Sequence, residues 1–408
     1  MREHTLTNNR HYNIQKTPAI INRHLNKNHL KDVLVVFPSL FSVNKKDKLK
    51  AVVKKKLQLS HIKVNKIICE EECIVFEVTD VVEAAAITVE MFGIDNVAIA
   101  KRITNEFTDI VTAIVNTGKQ MIFPDEKFFV KVQISSKAKI SYIGRDIEFA
   151  SSGNLTTELS HIAARPAKNE DEADKIIHSY IGKDAAYVCL QIDTALGGLP
   201  FGCQKEKVTC GINNIISYLS CLIAVKCGFI PEFLILYTNE DDLKENVKLF
   251  GRIANKICIK KHKIRILHIG LTDRYSDDGL KLMIKESVAA RILTLLPEKG
   301  VVVPLNAAIH PSWFVETTMK KIASTGKMPW MPLMLLTNSI YHDAKDAGLE
   351  DKIVSIDALR DNIMTFKRLE YEKYEKEIDA LSKAAVKNMK TISLKVGPNY
   401  LHDIIDSI

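Results

Sequence analysis

Seven lysines, Lys45, Lys46, Lys48, Lys50, Lys54, Lys55 and Lys56, crowd onto what reads as a single helix. A positive face of this kind draws polyanions by releasing their counterions, and a solvated helix face is the competing reading. Residues 1–60 hold thirteen Lys and Arg against three acids, while the whole chain is only +8, so the remainder is slightly acidic. Farther on, a polar stretch carries Lys137, Lys139, Tyr142 and Arg145. Eight cysteines are scattered, and the pair Cys69 and Cys73 flanks Glu70, Glu71 and Glu72 with no second pair at a zinc-site spacing, so packing accounts for them better than a metal. His310-Pro311-Ser312-Trp313 sets a hydroxyl beside an imidazole, but with no third orienting group in view an N-cap serine is the simpler reading. Asp273, Asp277 and Asp278 read as helix caps and first-turn acids rather than cation ligands, and Trp330 as a core filler.

Positioning such groups takes a folded scaffold, and the chain is large enough for one. Its 408 residues, 46% hydrophobic and 26% charged, describe an ordinary globular protein of two or three domains and exclude collagen, coiled-coil and disordered classes. The longest apolar stretch, residues 215–225, falls well short of the roughly 20 residues that span a bilayer. The first thirteen residues are polar where a secretion signal needs an apolar centre, which predicts a cytoplasmic protein with reduced cysteines and no membrane partner.

The periodicities give an order of elements. Residues 1–31 read as a basic, loose arm. Strands at 33–37, 62–68, 74–79 and 97–103 with helices at 44–59 and 81–91 give the order βαββαβ, a ferredoxin-like unit over residues 32–103. A helix at 107–118 with Gly118 at its C-cap, a strand at 128–134, a helix from about residue 155 and strands at 175–180 and 185–192 make a second α+β module over 104–202. It closes at Gly197-Gly198-Leu199-Pro200-Phe201-Gly202, a bend or boundary. From 203 to 360 helices and strands alternate, which predicts a doubly wound parallel sheet with any ligand at the carboxyl ends of its strands. Residues 361–389 read as one long charged helix, and 361–408 as a C-terminal helix and tail.

This layout, with the segments 127–134 and 184–192, the helix end Val89-Glu90-Met91-Phe92-Gly93-Ile94 and above all the Gly-Leu-Pro-x-Gly element at 198–202, resembles the THUMP-containing tRNA 4-thiouridine sulfurtransferases, some of which also feed sulfur to thiamine biosynthesis. The resemblance implies a mixed α/β and α+β multidomain protein: a ferredoxin-like domain, a THUMP domain and a PP-loop ATPase-like sheet domain. It further implies that the first two domains hold tRNA, with the acceptor end on the THUMP module. The RNA contacts it points to are Lys137, Lys139 and Arg145, the Lys45–Lys56 face, and Tyr142 as either a stacking ring or a half-buried anchor.

Two departures stand out against that family. Its Ser-Gly-Gly-x-Asp-Ser loop, which cradles the pyrophosphate of ATP with Mg, falls here on Ile212-Asn213-Asn214-Ile215-Ile216-Ser217, so both glycines are Asn and the acid is Ile216. The family's sulfur-carrying cysteine lies in the region occupied here by residues 354–360, and no cysteine follows Cys258; Cys203 and Cys210, beside the altered loop, are the remaining candidates. The expectation is therefore a degenerate member with no cofactor, a tRNA-binding scaffold that does not adenylate and that serves a sulfur-carrier or tRNA-modifying partner protein, with dimerisation left open. The alternative is an active ATP-dependent tRNA sulfurtransferase with a rebuilt loop, and a third reading is thiamine-pathway sulfur transfer without RNA, against which the basic N-terminal half speaks.

Overall fold

The computed structural model describes residues 31–271, 277–333 and 363–395, together with 275, 344, 345, 349, 354 and 360. Residues 1–30 of the basic arm predicted at the N-terminus, all but residues 344 and 345 of a helix predicted over 339–347, and the tail after 395 lie outside these residues, as does Asp273.

The first half is organised by one sheet. Strand β1 (Lys31–Pro38) leads to α1 (Lys46–Leu59), β2 (Val64–Cys69), β3 (Ile74–Val78), α2 (Val81–Thr88) and β4 (Ile94–Ile103). Helix α1 turns Leu49, Val52, Val53 and Leu57 inward at helical spacing and leaves its lysines outside, while Asp80 caps α2 by accepting the Glu83 N–H. The strand order β2-β3-β1-β4, antiparallel throughout, is the ferredoxin-like arrangement read from the sequence. Next come α3 (Phe107–Met121), β5 (Lys127–Ile134), α4 (Gly144–Glu158), the two-residue β6 (Arg165–Pro166), β7 (Lys175–Ile181) and β8 (Ala186–Gly197). Strand β8 pairs with β4 along its whole length, from Ile103↔Ala186 to Ile94↔Gly197. The eight strands β2-β3-β1-β4-β8-β7-β5-β6 are thus continuous across residue 103.

That sheet is curled. Strands β3 and β5 stand five places apart, about 24 Å in a flat sheet, yet Glu71 in the β2–β3 turn accepts hydrogen bonds from Ser135 (2.9 Å) and Ser136 (2.6 Å) just past β5. The concave face closes over Val33, Val35, Cys73, Val75, Ala98, Tyr180 and Tyr187, and the convex face carries separate apolar clusters under α1–α2 and α3–α4. The partner acid Glu70 is buried on the same seam, accepting from the Lys183 N–H (3.0 Å) and the Tyr187 hydroxyl (3.1 Å).

Three local expectations are corrected. Gly118 is not a C-cap: α3 runs on to Met121, and a Cβ at 118 would lie 2.5 Å from Leu155 and 2.9 Å from Ile177, so glycine serves the close approach of α3 to α4 and β7. Helix α4 begins at Gly144 rather than near 155, because Asp146 caps it by accepting the Ile143 N–H (3.0 Å), and Arg145 sits in its first turn. The charged segment from 361 is not one helix. After a turn at Arg368–Tyr371 comes α9 (Glu375–Lys387), and then β14 (Lys390–Lys395) joins the second sheet.

The second sheet is built from β9 (Lys207–Ile212), α5 (Ile215–Lys226), β10 (Ile230–Tyr237), α6 (Glu240–Ala254), β11 (Lys261–His268), α7 (Asp278–Leu295), β12 (Gly300–Val302), α8 (Ser312–Ser324) and β13 (Met328–Trp330). Its order is β13-β12-β9-β10-β11-β14, parallel except for β14, which runs antiparallel to β11. Helix α5 packs with α6, and α7 with α8 and α9. Ten of the twelve residues of α5 are buried, which is why its sequence is apolar all round, and no helix among the described residues is long and apolar enough to cross a membrane. Contacts tie the two sheets together: Lys56 Nζ meets the Asn255 carbonyl at 2.5 Å, and Cys258 joins the cluster under α1.

Candidate functional site

The carboxyl ends of β9 and β12 meet beneath the start of α5, where a parallel sheet holds its ligands. Asn214 caps α5 in an extended conformation (φ −168°), so the left-handed geometry available to asparagine is not used. Its Oδ1 accepts the Ser217 N–H at 2.9 Å. The Ser217 hydroxyl donates to the Asn214 carbonyl (2.7 Å) and accepts the backbone N–H groups of both Asn213 (2.8 Å) and Asn214 (2.9 Å). The backbone N–H groups of Asn213, Asn214 and Ser217 are thus satisfied from within the helix start. Ile212, Ile215 and Ile216 are packed in the sheet core, and Asn213 is 1% exposed with neither atom of its carboxamide hydrogen-bonded.

Behind the loop sits a pair that sequence reasoning missed. Glu286, on α7, accepts from the Asn214 side-chain Nδ2 with one carboxylate oxygen (3.5 Å) and binds His310 Nε2 with the other (2.5 Å). Both side chains are essentially fully buried, and Nδ1 of His310 lies 3.1 Å from the Asn306 carbonyl. Burial pushes the imidazole down, but the Glu286 carboxylate outweighs it and holds His310 above its ordinary value. The N-cap reading of Ser312 is corrected accordingly: Pro311 occupies the cap position, Ser312 makes no capping bond, and His310 is turned inward. Glu286 stands beside Lys285 and Ser287 in sequence, which reads as surface charge and carries no signal of its burial.

Cys210 is fully buried in β9 against Cys221. Cys203 is half-buried in the bend at the sheet boundary, where burial raises it more than Lys45 and Lys48 lower it. Asp277 is the N-cap of α7, accepting the Leu280 N–H at 2.8 Å, and Asp278 is in its first turn. Among the described residues no three His, Cys, Asp or Glu are grouped to hold a metal. Trp330 packs on Phe229 at 4.9 Å against the sheet core.

The basic residues divide by what they touch. Lys45, Lys48, Lys54 and Lys55 are exposed, whereas Lys46 reaches the Glu70 and Glu71 carbonyls, Lys50 pairs with Asp47 (2.8 Å), and Lys56 is committed to Asn255. Lys137, Lys139 and Arg145 are exposed on the other half of the sheet. Glu71 links the two patches, since it holds Ser135 and Ser136 through its side chain and Lys46 through its carbonyl. Tyr142 is an anchor: its hydroxyl donates to the Asn105 carbonyl (2.6 Å) and its ring stands edge-on to Phe107 at 5.4 Å.

No protein-family model and no curated protein matches this chain. Solved structures do match, in fold. One, a 4-thiouridine synthetase in complex with RNA and bound ATP, superposes with a TM-score of 0.62 over 90% of this chain and 100% of its own, at 12% identity. This chain is similar in fold to a 4-thiouridine synthetase. PH1313 from Pyrococcus horikoshii Ot3 matches with a TM-score of 0.59 over 78% of this chain and 100% of its own, at 17% identity. At these identities the likeness is one of fold, a THUMP-type half joined to a PP-loop-like sheet, and that mixed multidomain architecture is the one expected from the sequence.

Proposed function

We propose that this chain binds tRNA through the exposed lysines of α1 and the 137–145 segment and acts in tRNA modification as a scaffold that does not adenylate its RNA. The observation that carries the reading is the position of Ser217 Oγ. It takes the backbone N–H groups of Asn213 and Asn214 and leaves them unavailable to an anion at this helix start. The residues present do not fit ATP with Mg: two asparagine side chains stand where backbone amides must approach a phosphate closely, and Ile216 offers no ligand to a metal-bound phosphate. No sulfur or nucleotide step is therefore assigned to these residues, and a partner protein supplies the chemistry. The RNA side is supported by the exposed cationic patches and by the fold shared with a synthetase that binds RNA.

The competing reading is an active sulfurtransferase with a rebuilt loop. It is favoured by the unpaired carboxamide of Asn213 and the unpaired Nδ2 of Asn306 at the carboxyl ends of the strands. Gel-shift titration of tRNA at several salt concentrations, with and without ATP, separates the two. The scaffold reading predicts binding that weakens with salt by about 0.7–0.9 in log K per log salt for each phosphate neutralised, a slope reduced by Lys137→Ala with Lys139→Ala, and no effect of ATP. Absence of tRNA binding at micromolar protein removes it. ATP-dependent turnover lost in an Asn213→Ala, Asn214→Ala double variant establishes the competitor.

A further inference from the structure

The turn between β1 and α1 is pinned at both ends and bare in between. Ser39 and Ser42 are buried, their hydroxyls lie 2.9 Å apart and both reach the Gly198 carbonyl, and the Ser42 N–H closes the turn on the Ser39 carbonyl (2.8 Å). The residues between them are pushed outward: Leu40 is 81% and Phe41 68% exposed, with the exposed Val43 beside them. Apolar side chains displayed on so rigid a turn are preorganised for an apolar partner. Helix α1 continues from this tip with Lys45, Lys48, Lys54 and Lys55 outward, and its single acid, Asp47, is paired with Lys50. The surface therefore complements a peptide that is apolar and acidic at once, and the chain contains one. Residues 396–408 hold Val396, Tyr400, Leu401, Ile404, Ile405 and Ile408 with Asp403 and Asp406, and no lysine or arginine in a chain that has 57.

The segment starts close enough to reach that surface. Lys395 pairs with Lys261 at the start of β11, and Cys258, three residues earlier, puts its Sγ 3.6 Å from the Val52 carbonyl in the middle of α1. Summed along these contacts, Lys395 is at most about 25 Å from Val52, and Phe41 is about 20 Å farther along α1 and its entry turn. The thirteen residues that follow Lys395 extend to about 43–47 Å. We propose that residues 396–408 seat on the Leu40–Phe41 tip and the lysine side of α1, and so compete with tRNA for that surface. The contact stands on charge, apolar surface and reach; only its consequence rests on the RNA-binding reading above. Phosphates meet the lysines but have no use for Leu40 and Val43, whereas the segment matches both, and its tether supplies it at an effective concentration on the order of millimolar.

Two measurements on the full chain separate the contact from its consequence. In the first, Phe41→p-benzoylphenylalanine is irradiated in purified, RNA-free protein and the cross-links are mapped by mass spectrometry, with the same probe at Phe123, 60% exposed on the second α+β module, as control. Position 41 is expected to join residues 396–408 within one chain and position 123 not to; cross-links from 41 to a second chain, or to no part of 396–408, overturn the proposal. The second is tRNA affinity in variants that change no charge. A segment seated nine-tenths of the time lowers tRNA affinity about 10-fold, so Phe41→Ser and the pair Ile404→Ser, Ile405→Ser each raise it by about that factor. The two combined raise it no further, because they remove one contact. Circular dichroism checks that the variants fold. Unchanged or additive affinities overturn the competition. If no form binds tRNA the RNA reading falls, and the cross-link alone decides whether the contact exists.

Discussion

Gly182→Ala is the sharpest test of how the curled sheet is held shut. Gly182 has an ordinary backbone conformation, so an alanine there meets a problem of space alone. Its Cβ would lie 2.5–2.6 Å from the Glu70 carboxylate, which must move. Moving Glu70 breaks its bonds from the Lys183 N–H and the Tyr187 hydroxyl and leaves a buried hydroxyl unpaired on the concave face. Hydrogen bonds to a charged acceptor contribute about 1.5–3 kcal/mol each, against which the stiffer unfolded chain of an alanine variant returns about 0.4–1 kcal/mol. The net expectation is a loss of about 3 kcal/mol in urea denaturation followed by circular dichroism, with hydrogen exchange quickened where Ile181 pairs with Ala186. Gly153, inside α4 with nothing near its Cβ position, is the control: Gly153→Ala raises stability by about 0.5–1 kcal/mol. A Gly182→Ala protein within about 0.5 kcal/mol of wild type refutes the reasoning.

His262 is packed between Phe233 and Phe250, and burial, assisted by the Lys56 charge, pushes it down to about 4. Its folded value lies below the unfolded one, so the unfolded chain takes the proton first and stability falls as pH drops from about 6.5 toward 4. The loss reaches about 2 kcal/mol at pH 5, and His262→Phe should flatten that part of the pH–stability curve; an unchanged curve contradicts the assignment. His310→Phe strands the Glu286 carboxylate in the core and lowers stability by about 3–5 kcal/mol. Adding Glu286→Leu restores most of that loss, and simple additivity of the two changes would show that the pair is not coupled.

What the sequence made legible was whatever repeats at short range. The spacing of Leu49, Val52, Val53 and Leu57 identifies both α1 and its buried face, and the ferredoxin-like order follows from such patterns. Strand β14 was hidden because the Glu and Lys pairs before it continue a helical charge pattern up to Lys387, while its sheet partner β11 is more than a hundred residues away. The shared sheet escaped for the same reason, since the pairing of β4 with β8 joins segments that each look complete alone. At the site, the passage from strand to helix at 212–217 could be located from its residues, but the role of Ser217 depends on the direction of one hydroxyl, and the approach of Glu286 to Asn214 spans 72 positions. Tyr142 and Phe149 are a last case. Seven residues apart on one segment, they differ in exposure only because Phe107 and Asn105 lie under the first.

The central claim is that the Asn213 and Asn214 amides are satisfied from within the helix and cannot receive a triphosphate. Pyrophosphate release from labelled ATP, measured with tRNA present at a concentration where the gel shift is saturated, tests it most directly. The account predicts bound tRNA and no release above the protein-free rate in the wild type. Release that depends on tRNA, or a nucleotide found seated against Asn213 and Asn214, contradicts it.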